Sequence, residues 1–244
     1  MMSIRKFKPV GVVLCVALII NLFPGVIFAG TEKEDRILKQ APQVYTKKNM
    51  EETEILKENV QTYMKTIEPY EVTGKKNLDV PLYKQSNNYY CGPASTRMTL
   101  KYLGKDITQS ALASQMGTTS ADGTYVYQIV NALNNHLGGT KYKYVLNSNI
   151  SFGSGLTYSI DKGRPVICHV DTIKLPIYKE DKKSTGHYVV ATGYYYKAVG
   201  GTGVDTVYYN DPNNNSKYYG RKTCTWSEMR NAILENAGYY IMSI

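Results

Sequence analysis

Four residues far apart in the chain are of the types that acyl transfer through sulfur needs: Gln85, Cys91, His187 and Asp211. A thiolate attacks a carbonyl carbon when a base takes its proton, a third group orients that base, and hydrogen-bond donors hold the oxyanion. Cys91 opens the run CGPASTRMTLKYLG, which reads as a helix from Cys91 to about Leu103 that stops at Gly104. At a helix N-terminus, unpaired N–H groups and the helix dipole favour an anion. They lower a thiol's pKa from its free value of roughly 8.5. Pro93 suits the first turn, where its missing N–H costs nothing. Gly92 lets the backbone approach closely and leaves the sulfur uncrowded. A lone cysteine is by default a small, inert, buried residue, so its company has to decide.

Three histidines compete for the role of base. His136 falls late in a helical run among Asn134 and Asn135 and reads as a solvated helix-end residue. His169 lies inside the apolar run PVICHVD, where a strand side chain is the simpler reading, although a base there is not excluded. His187 follows the polar stretch EDKKSTG and opens the strand-like YVVATGYYY, so it can face a cleft while the strand fixes its backbone. It is the preferred base. Asp211 ends the run TVYYN and starts DPNNN, a common turn signal. The same turn can hold the carboxylate against an imidazole, setting its tautomer and stabilising the imidazolium. Gln85 is the candidate oxyanion donor, its amide acting with the Cys91 backbone N–H.

The elements that must position these groups divide in two. After the cysteine helix, a second helix starts with Thr108 as N-cap and stops at Gly117, and a third runs from Thr124 as N-cap to about His136. Strand-like runs then take over: KYKYVL, RPVICHV, HYVVATGYYY and DTVYYND. Thr225 and Glu228 form a capping-box pattern for a last helix, and GYYIMSI closes the chain as a strand. Helices first and strands afterwards predict an α+β domain with an antiparallel sheet.

Three segments precede or bound that domain. Residues 1–29 read as a signal peptide, with Arg5, Lys6 and Lys8 before an apolar run that ends at the small residue Ala29. An uncleaved anchor is the alternative, and Pro24-Gly25 ahead of Ala29 favours cleavage. Residues 30–76 are charged, with Leu56, Val60, Tyr63 and Ile67 spaced as one helical stripe. That segment is read as a solvated spacer or as a pro-segment whose stripe packs on the main domain and covers its cleft. The domain itself spans 77–244.

The chain of 244 residues carries a formal charge of +9, without a Lys/Arg cluster longer than two or three residues. This fits weak attraction to an anionic surface such as a bacterial envelope, not nucleic-acid recognition. After signal removal Cys91, Cys168 and Cys224 remain, an odd number, so at least one thiol is free. A Cys168–Cys224 disulfide stays open. Without CxxC, HExxH or grouped histidines, neither a metal site nor a cofactor is expected.

The run VPLYKQSNNYYCGPASTRMTLKYLG resembles the C39-like cysteine peptidases, a branch of the papain-like superfamily. Later blocks agree in order: ITQSALASQMGT, DGTYVYQIVNALN, GRPVICHV, GHYVVATGYYY, VYYNDPN and TWSEM. The resemblance implies a papain-like fold, with Cys91 as nucleophile, His187 as base, Asp211 as orienter and Gln85 as oxyanion donor. These are the positions the residues themselves rank first. It implies a peptide or protein substrate, with cell-wall peptide one class among others, while the signal segment predicts a secreted or envelope-associated enzyme. Leader-peptide specificity does not carry over from the transporter-linked members. Two further readings stand beside it: a wall amidase or transpeptidase, and a non-catalytic envelope or peptide-binding module on the same fold.

Overall fold

The computed structural model describes residues 31–67, 73–181, 183–197 and 204–244, so the expected signal segment 1–29 lies outside the described residues. Two helices come first, α1 (Glu32–Gln40) and α2 (Lys47–Ile67), then a short strand, β1 (Thr73–Asn77). Next are α3 (Cys91–Tyr102), α4 (Gln109–Gln115) and α5 (Val126–Leu137). They lead into β2 (Tyr142–Leu146), α6 (Phe152–Asp161) and β3 (Val166–Asp171). Two 3-10 turns, Thr172–Lys174 and Pro176–Tyr178, precede β4 (Gly186–Lys197) and β5 (Val204–Asp211). The chain ends with β6 (Gly220–Thr225), α7 (Trp226–Glu235) and β7 (Tyr239–Ser243).

All strand pairs are antiparallel, in the order β2-β7-β3-β4-β5-β6, with β1 pairing β4 where β3 has ended. This is the mixed helix and antiparallel-sheet architecture that the sequence predicts. The closing strand β7 is internal, between β2 and β3, which explains why all five of its residues are buried.

Period-two alternation separates the two faces of the sheet. Ile167, Tyr188, Val190, Tyr239 and Ile241 pack with Met98, Leu100, Leu112, Ile129 and Leu133 from α3, α4 and α5. Their neighbours Cys168, Val170, Val189, Ala191, Tyr240 and Met242 pack with Phe152, Leu156 and Ile160 of α6 and Met229 and Ile233 of α7. The N-terminal helices clasp both faces. Ile37 and Ala41 join the first core, while Leu56 and Val60 join the second. Between them α2 passes β2, whose buried Lys143 donates from Nζ to Asn49 Oδ1 at 2.6 Å and Glu52 Oε2 at 3.0 Å. Of the predicted apolar stripe, Leu56 and Val60 are buried and Tyr63 is half-buried, but Ile67 is exposed.

Several elements differ from the sequence expectation. Helix α5 starts one residue later, capped at Tyr125, because the Thr124 hydroxyl is hydrogen-bonded to Thr118 Oγ1 at 2.8 Å. Helix α6 falls where only loop and strands are expected. Its glycines lower helix propensity, yet a Cβ at Gly153 would sit 2.9 Å from the Trp226 indole nitrogen, and one at Gly155 would overlap the Tyr240 hydroxyl. Strands β1 and β6 read TGKKN and GRKTCT, too polar for a strand signal, and form because β4 and β5 supply paired backbone. Helix α1 is likewise unforeseen, although Thr31 and Glu34 close a capping box.

If α2 is part of the folded unit, Leu56→Ala should lower the unfolding free energy by about 2–4 kcal/mol in urea titrations. The exposed Ile55→Ala beside it should change the value by less than about 0.5 kcal/mol. Equal effects would mean that α2 does not share the core.

Candidate active site

Cys91 is the first residue of α3, and no side chain caps that helix. Helices α4, α6 and α7 instead begin with Thr108, Ser151 and Thr225 accepting first-turn N–H groups. The donors at the start of α3 therefore stay available to an anion. Gly92 has a different reason from the one its sequence context gives: a Cβ there would lie 2.6 Å from Thr124 Oγ1. The residue keeps the 118–125 hairpin close behind the thiol.

His187 is the second residue of β4 and is buried. Its Nε2 is 2.9 Å from Oδ1 of Asp211, the last residue of β5. Asp211 has no exposure to water, and its charge is met by three donors. Besides His187, the Asn213 N–H donates to Oδ1 at 2.9 Å and the Tyr178 hydroxyl to Oδ2 at 2.8 Å. With Nε2 committed to the carboxylate, Nδ1 is the ring nitrogen left for the thiol.

Helix α3 and strand β4 are sutured next to this pair. Ser95 Oγ donates to the Tyr188 carbonyl at 3.2 Å, one residue beyond His187. Tyr188 in turn donates from its hydroxyl to the Thr124 carbonyl at 2.8 Å, behind Gly92. The loops on the other side are also joined. The Gln85 N–H donates to the Pro212 carbonyl at 2.7 Å, and Asn214 Nδ2 to Asn88 Oδ1 at 2.6 Å. Gln85 is buried, its Nε2 donates to the Asn87 carbonyl at 2.9 Å, and its Oε1 has no partner.

Electrostatics separate the three thiols. Burial raises the pKa of Cys91, but His187 and the Tyr188 and Gly92 backbone outweigh it, leaving the thiol below its ordinary value. Cys168 and Cys224 are free, buried thiols, both pushed up mainly by burial. The disulfide left open by the sequence is not formed. Burial also opposes charge on His187, yet Asp211 and then Cys91 raise it to about 10. A raised imidazolium stabilises the fold fully below about 6.5, and that contribution is lost as pH rises through about 10.

The other histidines make no hydrogen bond to Asp211. His169 stacks on Tyr188 at 4.4 Å, its Nδ1 has no partner, and burial with the nearby His187 charge pushes it down to about 3. His136 bonds Gln115 Oε1 at 2.8 Å. Among the described residues no three His, Cys, Asp or Glu side chains group as metal ligands. Sequence reasoning missed Tyr178, Asn213, Ser95 and Thr124. Only Asn213 carried a signal, since asparagine two residues after an Asp-Pro corner is a turn former.

A thiol at a helix N-terminus, with an imidazole and a buried carboxylate on adjacent strands of an antiparallel sheet, is an arrangement able to carry out thiol hydrolysis. The Peptidase_C39 like family model matches residues 77–241, and the chain belongs to this family of cysteine peptidases. Solved structures similar in fold include one from Bacillus anthracis assigned as a C39-like peptidase. It shares 17% identity at a TM-score of 0.49, over 70% of this chain and 98% of that one. A double-glycine-motif protease from an AMS/PCAT transporter, solved with its leader peptide, shares 20% at 0.43, over 69% and 93%. The peptidase domain of Streptococcus ComA, a bifunctional ABC transporter in a quorum-sensing pathway, shares 21% at 0.44, over 67% and 97%. No curated protein matches the chain.

Iodoacetamide should modify Cys91 ahead of Cys168 and Cys224 at neutral pH. In His187→Ala only the Tyr188 and Gly92 backbone still opposes the burial of the sulfur, the thiolate fraction drops, and labelling at pH 7 should slow at least about tenfold. Unchanged labelling in that variant, followed by peptide mass spectrometry, would remove the imidazole from the account of the thiol.

Proposed function

We propose that the protein is an exported thiol hydrolase that cleaves peptide or amide bonds with Cys91 as nucleophile. The observation that carries this reading is the series Cys91, His187, Asp211, with a lowered thiol and a raised imidazole. His187 takes the Cys91 proton, giving a thiolate–imidazolium pair that Asp211 orients and stabilises. The thiolate attacks the carbonyl carbon and an S–C bond forms. The oxyanion is received by the Cys91 N–H at the uncapped end of α3 and by the second amide hydrogen of Gln85. As the C–N bond breaks, His187 protonates the leaving amine. The same imidazole then deprotonates a water that attacks the thioester, releasing the acid and restoring the thiol.

Residues 1–29 act in this reading as the export signal, supported by their basic start and apolar run. N-terminal sequencing of the protein recovered outside the cell should begin just after Ala29. Residues 30–76 are read as a segment that packs on the peptidase domain, supported by Leu56 and Val60 in its core.

A panel of denatured proteins and purified wall fragments should be cut by the wild-type protein, and Cys91→Ala should abolish cutting. Gln85→Ala should lower kcat by about a hundredfold or more while KM stays close to wild type. Binding of such fragments with no turnover in the native protein would instead favour a non-catalytic module. Transfer to an added amine in preference to water would favour a transpeptidase.

A further inference from the structure

Asp211 is buried without exposure, and a carboxylate there is stable only if its lone pairs are met. Each oxygen has its own donors. Oδ1 faces His187 Nε2 and the Asn213 N–H, both at 2.9 Å, whereas Oδ2 faces the Tyr178 hydroxyl alone, at 2.8 Å. Asn213 Nδ2 also donates to the Tyr178 oxygen, at 3.1 Å. A phenol that accepts from an amide has its own proton free for one direction, and here that direction is Oδ2.

The ring is fixed as firmly as its hydroxyl. Tyr178 is 3% exposed and closes the 3-10 turn Pro176–Tyr178, between β3 and β4. It stacks on Tyr218 with ring centroids 4.3 Å apart, and its edge meets the His187 ring at 6.3 Å. Tyr218 donates to Asp181 Oδ1 at 2.7 Å, and Lys179 pairs with Glu228 at 2.7 Å, so the turn is tied down on both sides.

We propose that Tyr178 is a positioning residue of the catalytic centre, which holds Asp211 in plane with His187 and, by sharing the carboxylate's charge, tempers its pull on the imidazolium proton. This rests on the Cys91–His187 reading above. An imidazolium bound too tightly by its carboxylate is a poor acid toward a leaving amine, so a donor on the far oxygen helps the protonation step. Removing that hydroxyl leaves Oδ1 in place, because the Asn213 backbone still holds it. The carboxylate then spends its whole charge on His187.

The groups facing the imidazole are Asp211 from β5, Cys91 from α3, His169 from β3 and Tyr178 from the turn. Tyr209 and, beyond it, Glu228 of α7 lie behind Asp211 and Tyr178. His169, at about 3, stays neutral while His187 titrates. Tyr178 and Tyr209 stay protonated, raised first by burial and then by their ionisable neighbours, Asp211 for Tyr178 and Cys224 and Asp211 for Tyr209. The charges that act on His187 are therefore those of Asp211 and Cys91.

The test is the imidazole NMR titration of His187 in the full mature chain, which has three histidines to assign. In Tyr178→Phe the midpoint should move up by about half a pH unit or more, while KM for any peptide cut by wild type stays unchanged and kcat falls. Tyr218→Phe, which keeps the ring and loses only the bond to Asp181, should leave the midpoint in place. If Tyr178→Phe does not fold, Asn213→Ala releases the phenol's polarity while keeping the backbone donor, and should move the midpoint the same way by less. A midpoint that stays at its wild-type value in the folded variant, whatever happens to kcat, would overturn the inference. An absence of turnover in the wild type would overturn the hydrolase reading instead, and the titration would still report on Tyr178.

Discussion

A carboxylate wholly removed from water is the constraint around which the site is arranged. Burying Asp211 as an anion is costly, and the cost is offset only by donors held at hydrogen-bond distance. His187 comes from β4, Asn213 from the turn after β5, and Tyr178 from a segment 33 residues away. Three stretches of chain must therefore converge before the charge is tolerated. The turn after β5 in turn receives Gln85 and Asn88, so the loop ahead of α3 is registered to the same carboxylate. Losing one donor leaves an uncompensated charge, and for that reason buried networks of this kind fix geometry more than they add stability.

The Cys91 thiol is set by a separate device. Helix α3 is buried along most of its length, with Ala94, Met98 and Leu100 in the core, so the sulfur sits on a rigid element. Ser95 and the Gly92–Thr124 contact then lock the helix against β4 and the 118–125 hairpin. Cys91 is held between opposing effects: burial disfavours the thiolate, while the imidazole and nearby backbone favour it. Cys168 and Cys224 have the burial without a cationic neighbour, and their shifts go the other way. Three thiols in one chain thus differ by neighbourhood alone.

Much of this was legible in the sequence, and the reasons are particular. Helix α3 announced itself by Cys-Gly-Pro before an apolar periodic run, α4 and α7 by Thr108 and the Thr225–Glu228 box, and β3, β4 and β7 by continuous apolar runs. His187 was distinguishable from His169 because one opens a strand after a polar loop and the other is surrounded by apolar residues. What stayed hidden depends on contacts distant in sequence. Gly153 and Gly155 weaken a helix locally and are required by Trp226 and Tyr240. β1 and β6 are polar segments made into strands by their neighbours. Tyr178, in LPIYKE, has nothing in its local pattern that points to a carboxylate on β5.

The N-terminal helices extend the same logic beyond the family-matched region. Gln40, at the end of α1, accepts from the Val126 N–H at 3.2 Å, and its Oε1 lies 3.4 Å from the Tyr188 hydroxyl oxygen. It thereby fills the unpaired donor at the start of α5 and touches the tyrosine that braces Thr124 against Gly92. Lys39 pairs with Asp122 in the same hairpin at 2.8 Å, an exposed contact of small energetic value that still fixes direction. Helix α1 therefore packs into the same core layer as α3, the helix that carries Cys91, while α2 completes the core on the opposite face through Leu56 and Val60. A stripe of apolar residues spaced three and four apart says only that a helix will bury one side. Which side of the sheet it meets, and how near that lies to the thiol, is decided by Gln40 and Lys143, two polar residues whose sequence neighbourhood gives no such instruction.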